Sequence, residues 1–182
     1  MVTWLYLFHP MWLQQQVGHL TEDVDDDKCV LCTGIDAMVH AIEAYTSKHK
    51  KNVLSDLLAR EALRLLAANI RYLLKLLSWN FVQEPSFRLV CEDGSNREAR
   101  GRMLLGSLYA GMAFANSPCA GVHALAYPLG SHFHVPHGLA NSLMLPHLLR
   151  FTGEDQQAAD LYRWTLIHTY LITMVARINL GI

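Results

Sequence analysis

The sequence predicts an all-α protein, and three observations predict it. Apolar residues recur at helical spacing from residue 33 onward; no run alternates apolar and polar residues as a half-buried strand would; and neither a Gly-rich phosphate loop nor an internal repeat interrupts the pattern. A chain of 182 residues is long enough for one domain with a core that needs no staples.

Composition narrows the partners. Fifteen Lys and Arg stand against sixteen Asp and Glu, so no basic footprint points to nucleic acid or to anionic lipid, and a small-molecule partner is expected. Cys29, Cys32, Cys91 and Cys119 make no disulfide framework, and the Cys29-x-x-Cys32 pair has no second pair at zinc-ribbon spacing. They are read as reduced and the protein as cytoplasmic. The apolar start MVTWLYLFHPMWL has no basic n-region and is broken by Pro10, and Arg177 divides the apolar stretch from Trp164 to Ile182, so neither a signal peptide nor a membrane span is expected.

Residues 21–28 (TEDVDDDK) read as a solvated acidic loop. The first helix is expected from Thr33, a plausible N-cap, with Ile35, Val39 and Ile42 on its apolar face and Glu43, Ser47 and Lys48 elsewhere. A second helix is expected from Ser55 to about Leu77, with Leu58, Ala62, Leu65, Leu66 and Leu73 on its buried side. The third, Arg97 to Asn116, holds Gly101, Gly106, Ala110, Gly111, Ala113 and Ala115. Small residues cost helix propensity, so their purpose is close backbone approach and the helix should be buried. A short helix from Gly121 to Tyr127 is expected to stop at Pro128, followed by the loop LGSHFHVP and a helix from Pro136 through His147.

The chemistry-bearing side chains concentrate on these elements. Asp36 and His40 are four apart on one helix, so they can meet one ion from the same side. An Asp-x-x-x-His pair alone is a weak signal, because most such pairs are surface hydrogen-bonding partners. His123 and His137 add a second half, if the loop between them folds back. His132 and His134 read as polar loop residues lining a cleft, and His147 as a hydrogen-bonded core or boundary residue.

Two local words carry more than these spacings. TGIDAMVHAIEAYTS at 33–47 and GMAFANSPCAGVHALAYPLGSHFHVPHGLANSLMLPHLLRF at 111–151 strongly resemble the iron-containing alcohol dehydrogenase family. The resemblance covers residues 33–72 and 88–163. It implies a helical bundle like the C-terminal domain of the dehydroquinate synthase-like fold, with Asp36, His40, His123 and His137 as ligands of one divalent metal. It further implies an enzyme with an N-terminal dinucleotide-binding domain, in which NAD(P) carries hydride between an alcohol and an aldehyde or ketone while the metal acts as Lewis acid. Three imidazoles and a carboxylate suit Fe(II) and Zn(II) alike.

The resemblance fails in three places. Residues 1–32 look like an off-pattern leader with no nucleotide-binding stretch, so no residue is assigned to cofactor binding. LLKLLSWNFVQEPSF at 73–87 looks inserted, and residues 164–182 read as an off-pattern tail. The expectation is a metal-binding helical domain over 33–163 in a fragment or truncated gene product that binds metal better than it turns over substrate. A zinc-dependent glycerol dehydrogenase-like relative and an inactive helical fragment are the alternatives, and a homo-oligomer is left open.

Many family members carry a histidine four positions after the third ligand, where this chain has Tyr127. A tyrosine hydroxyl, of ordinary pKa ~10, accepts a proton less readily at neutral pH than a histidine at ~6.5. Tyr127 is thus either a proton-handling residue or a packed aromatic before Pro128.

Overall fold

Helix α1 (Asp27–Thr46) runs through the middle of the molecule. Ala37, Met38, Val39, Ala41, Ile42 and Ala44 are each no more than 1% exposed, and Asp36, His40 and Glu43, which fill the remaining side of the same turns, are 5%, 5% and 3% exposed. A helix buried all round belongs in a core, and α1 is packed by four others: α2 (Val53–Leu74), α3 (Arg97–Asn116), α5 (His137–Thr152) and α6 (Gln156–Thr169). α4 (Gly121–Phe133) packs on α5. The computed structural model describes residues 27–74, 97–118 and 120–169, and among them there are six helices and no strand. The all-α expectation holds.

Several expected boundaries move. α1 begins at Asp27, so Thr33 is a half-buried interior residue and not an N-cap. α2 begins at Val53 because Asn52 caps it. The Asn52 side-chain oxygen accepts from the Ser55 N–H at 2.9 Å, and Ser55 Oγ accepts from the Asn52 N–H at 3.1 Å, a reciprocal arrangement that satisfies two end groups. The expected stop near Leu77 and most of the expected insertion at 73–87 lie outside the described residues, as do Cys91 and Cys119.

The packing of α2 on α3 explains one of the small residues. A Cβ on Gly106 would sit 2.8 Å from Leu66 Cγ and 3.3 Å from Leu65 Cβ, so only glycine allows this approach. Gly101 has no such neighbour, and close packing does not account for it. The end of α3 is tied to α1 by the buried Ser117 hydroxyl, which donates to the Ala44 carbonyl at 3.0 Å.

Pro128 does not end α4, which continues to Phe133. Proline removes one backbone donor and crowds the carbonyl four residues earlier, yet Pro128 and Ala124 both lie on the exposed side, where water can take that carbonyl. The helix stops at His134, whose left-handed conformation (φ 55°, ψ 28°) turns the chain into α5. His132 is therefore helical and exposed, not part of an extended loop. Likewise α5 runs through Pro146 to Thr152, and His147 is exposed instead of lying in the core. Asp155 caps α6 by accepting from the Ala158 N–H at 3.0 Å. No helix among the described residues is long and apolar enough to cross a membrane.

Candidate metal centre

The turn at His134 and the left-over length of Val135 and Pro136 bring the first residue of α5 back beside α4, and both helix starts meet the middle of α1. There Asp36 Oδ1 lies 3.4 Å from His123 Nε2 and 3.4 Å from His137 Nε2. Ligand atoms of Asp36, His40 and His123 lie within 4.8 Å of one another. Four side chains from three helices thus converge, and they are the four that the sequence singled out.

These distances fit a shared cation. A charge-assisted N–H···O bond closes to ~2.7–2.9 Å, so 3.4 Å is long for direct pairing. It is about the edge of a tetrahedron whose vertices stand ~2.1 Å from its centre, the ordinary bond length of Zn(II) to imidazole or carboxylate. Asp36, His40 and His123 are almost wholly buried, whereas the His137 side chain is 44% exposed. One edge of the cluster therefore opens to solvent, leaving access for an exogenous ligand.

Two of the three imidazoles, His40 and His123, are oriented by a partner on the other nitrogen. His40 Nδ1 lies 2.9 Å from the Asp36 carbonyl; a carbonyl can only accept, so Nδ1 carries the proton and Nε2 keeps the free lone pair. Burial pushes the His40 pKa below its ordinary value, outweighing the opposing pull of the Asp36 carboxylate. His40 is held neutral, as ligation requires. Its ring packs edge-on against Phe114 of α3, centroid to centroid 5.1 Å. For Asp36, burial raises the pKa, but the hydrogen-bonding contact with His123 and the fields of His40, His137 and His123 together carry it below the usual carboxylate value.

Glu43 was expected only off the apolar face of α1, and the structure shows it buried, 3% exposed. Its carboxylate accepts from the Ala120 N–H at 3.1 Å, the Val122 N–H at 2.6 Å and His123 Nδ1 at 2.6 Å. One buried anion thereby satisfies the otherwise orphaned start of α4, sits at the positive end of that helix, and leaves His123 Nε2 to face Asp36. A second residue the sequence reading missed is Asn141, 0% exposed, whose side-chain nitrogen donates to Asp36 Oδ1 at 2.6 Å. The available signals were Glu43's place three residues after His40 and Asn141's place four after His137, each on a ligand-bearing helix.

Tyr127 is not packed into the core. It is 61% exposed and stacks on His137 with ring centroids 5.7 Å apart and planes 16° from parallel. It stands at the open edge of the cluster.

Comparison with known proteins identifies the family and the fold. Residues 30–164 match the model of the Fe-containing alcohol dehydrogenase family, C-terminal. The chain is 42% identical over 131 residues to the 1,3-propanediol dehydrogenase of Klebsiella pneumoniae, and 39% over 132 residues to long-chain-alcohol dehydrogenase 1 of Geobacillus thermodenitrificans. In both cases the match takes in 71% of this chain and 29% of the relative, so the chain spans well under half the length of these relatives. Among solved structures it resembles a 1,3-propanediol oxidoreductase (TM-score 0.60, 34% identity, 80% of this chain and 37% of that one). It also resembles the iron-containing alcohol dehydrogenase of Thermotoga maritima (TM-score 0.63, 27% identity, 83% and 36%).

Proposed function

The chain belongs to the Fe-containing alcohol dehydrogenase family, and we propose that it forms the metal-holding part, residues 33–163, of an NAD(P)-dependent enzyme interconverting an alcohol with an aldehyde or ketone. The observation that carries this reading is the convergence of Asp36, His40, His123 and His137 with one edge open at His137. When bound to these four residues, a divalent ion, Fe(II) or Zn(II), supplies Lewis-acid polarisation of a substrate oxygen. Hydride is carried by NAD(P), for which no residue of this chain is assigned.

The chain's own residues set the conditions. Asp36 offers a buried carboxylate kept ionised by its imidazole neighbours; Glu43 and the Asp36 carbonyl fix which nitrogens of His123 and His40 face inward. Tyr127, exposed beside His137, is the side chain placed to give or take a proton at the open edge. A glycerol dehydrogenase-like relative would use three protein ligands, and the four-residue convergence favours the iron group.

The test is elemental analysis of the purified chain beside His123→Ala. The expected result is about one divalent ion per chain, lost in the variant; equal metal in both refutes the site. A panel of small, diol and long-chain alcohols with NAD and NADP then addresses substrate, since the relatives above are named for different alcohols.

A further inference from the structure

Asn141 is the one buried side chain whose amide touches three of the four converging residues at once. Its Nδ2 lies 2.6 Å from Asp36 Oδ1, 3.2 Å from His137 Nε2 and 3.3 Å from His123 Nε2. The other end of the same amide, Oδ1, is buried without a hydrogen-bond partner. A buried carbonyl left unpaired is a standing cost that a fold retains only where the rest of the group is needed, and an apolar residue of the same shape would avoid it. Turning the amide over would pair nothing better, because Oδ1 would then face the Asp36 carboxylate.

We propose that Asn141 is a positioning residue for the metal centre, acting through Asp36. The carboxyl group of Asp36 can rotate about its own side chain; the short bond from Asn141 selects the rotamer in which Oδ1 stands equally far from His123 Nε2 and His137 Nε2. Asn141 is fit for this because it is four residues from His137 on α5, so one rigid helix carries both a ligand and the donor that aims another ligand. A neutral amide suits the task, since a Lys or Arg in its place would cancel the negative charge that a cation needs. The same Nδ2 lies 3.2 Å from His137 Nε2 and 3.3 Å from His123 Nε2, so the amide that aims Asp36 also packs against both rings.

The inference rests on the proposed metal site, and Co(II) titration of the full 182-residue chain, read by visible absorption and by competition with a chelator, separates the two. If the wild-type chain binds no Co(II), the metal reading itself fails, and this inference with it. Given wild-type binding, Asn141→Leu removes the donor at nearly constant size, and Asn141→Ala removes donor and volume together. Both are expected to weaken Co(II) binding by about 10- to 100-fold, as partners of ligands generally do, and to alter the Co(II) d–d spectrum, while circular dichroism shows the helices retained. Wild-type affinity and spectrum in Asn141→Leu, with loss only in Asn141→Ala, would show that Asn141 merely fills space and overturn the proposal. Should Asn141→Leu fail to fold, Asn141→Ser, which keeps a shorter donor, decides: an unchanged spectrum and affinity there would equally overturn it, because its hydroxyl cannot reach Asp36 as the amide does.

Discussion

Replacing Glu43 with glutamine tests the link between helix capping and metal affinity. The carboxylate serves three donors with two oxygens: Oε1 accepts from Val122 N–H at 2.6 Å, and Oε2 from Ala120 N–H at 3.1 Å and His123 Nδ1 at 2.6 Å. Glutamine has one oxygen. Val122 is buried and Ala120 exposed, so the oxygen stays on Val122, where no water can substitute, and the NH2 group turns to Ala120 and His123. Water takes over at Ala120. His123 can adapt only by becoming an acceptor at Nδ1, which puts its proton on Nε2, the nitrogen that faces Asp36.

The fold should be weakened by Glu43→Gln but not lost: at Val122 and His123, charge-assisted bonds worth ~1.5–3 kcal/mol each give way to neutral ones worth ~0.5–1.5, a cost of about 2–3 kcal/mol for the two. Metal affinity should suffer separately, because the ion must now reverse the His123 tautomer against its new partner, and a fall of about 10- to 100-fold is expected. The assays are chelator competition for affinity and 15N NMR of the imidazoles for the tautomer. An affinity within about twofold of wild type, with the His123 proton still on Nδ1, would refute the argument. Glu43→Ala is the harsher control, since it strands buried donors at ~1–3 kcal/mol apiece.

Other consequences follow from the same contacts. Gly106→Val should destabilise the chain by about 1–3 kcal/mol in urea titration, because its Cβ meets Leu66 Cγ at 2.8 Å and overpacking costs that much. Leu63→Ala, at a fully buried position, should cost ~2–5 kcal/mol with no change of metal stoichiometry in the fraction that folds. For the metal-free chain, stability should decline as pH falls below 6.5, the ordinary value for His40. Below that value the unfolded chain takes up a proton that buried His40 refuses, until pH reaches the lowered folded value; Asp36 adds a second loss below 3.8 for the same reason. A His40→Gln chain melting with the same pH slope between 6.5 and 5 would contradict this. Adding Zn(II) at ~100 times its dissociation constant should stabilise the wild-type chain by ~2.7 kcal/mol, and chelator should reverse it.

The four converging residues were legible because their signal is local: Asp36 and His40 share one helix turn, and His123 and His137 sit within a single continuous word. The role of Glu43 was missed for the opposite reason. Amphipathic reading assigns a glutamate among alanines to the wet side of a helix, and α1 has no wet side over these residues, since α2, α3, α5 and α6 all pack on it. What makes burial of that charge tolerable is the start of α4, nearly eighty residues away in sequence, a compensation no window around residue 43 contains. The boundary at Pro128 failed similarly: proline's local rule is sound, but whether a helix stops there depends on whether the freed carbonyl faces water, which is a tertiary fact. Asn141 was invisible because an asparagine at i+4 from a histidine has many uses, and only the 2.6 Å contact with Asp36 from another helix selects one. The four residues that converge can thus be read from sequence, whereas the partners that aim them come from elsewhere in the fold. Variants of Glu43 and Asn141, more than of Asp36, His40, His123 or His137, therefore report on how α1, α4 and α5 are held against one another.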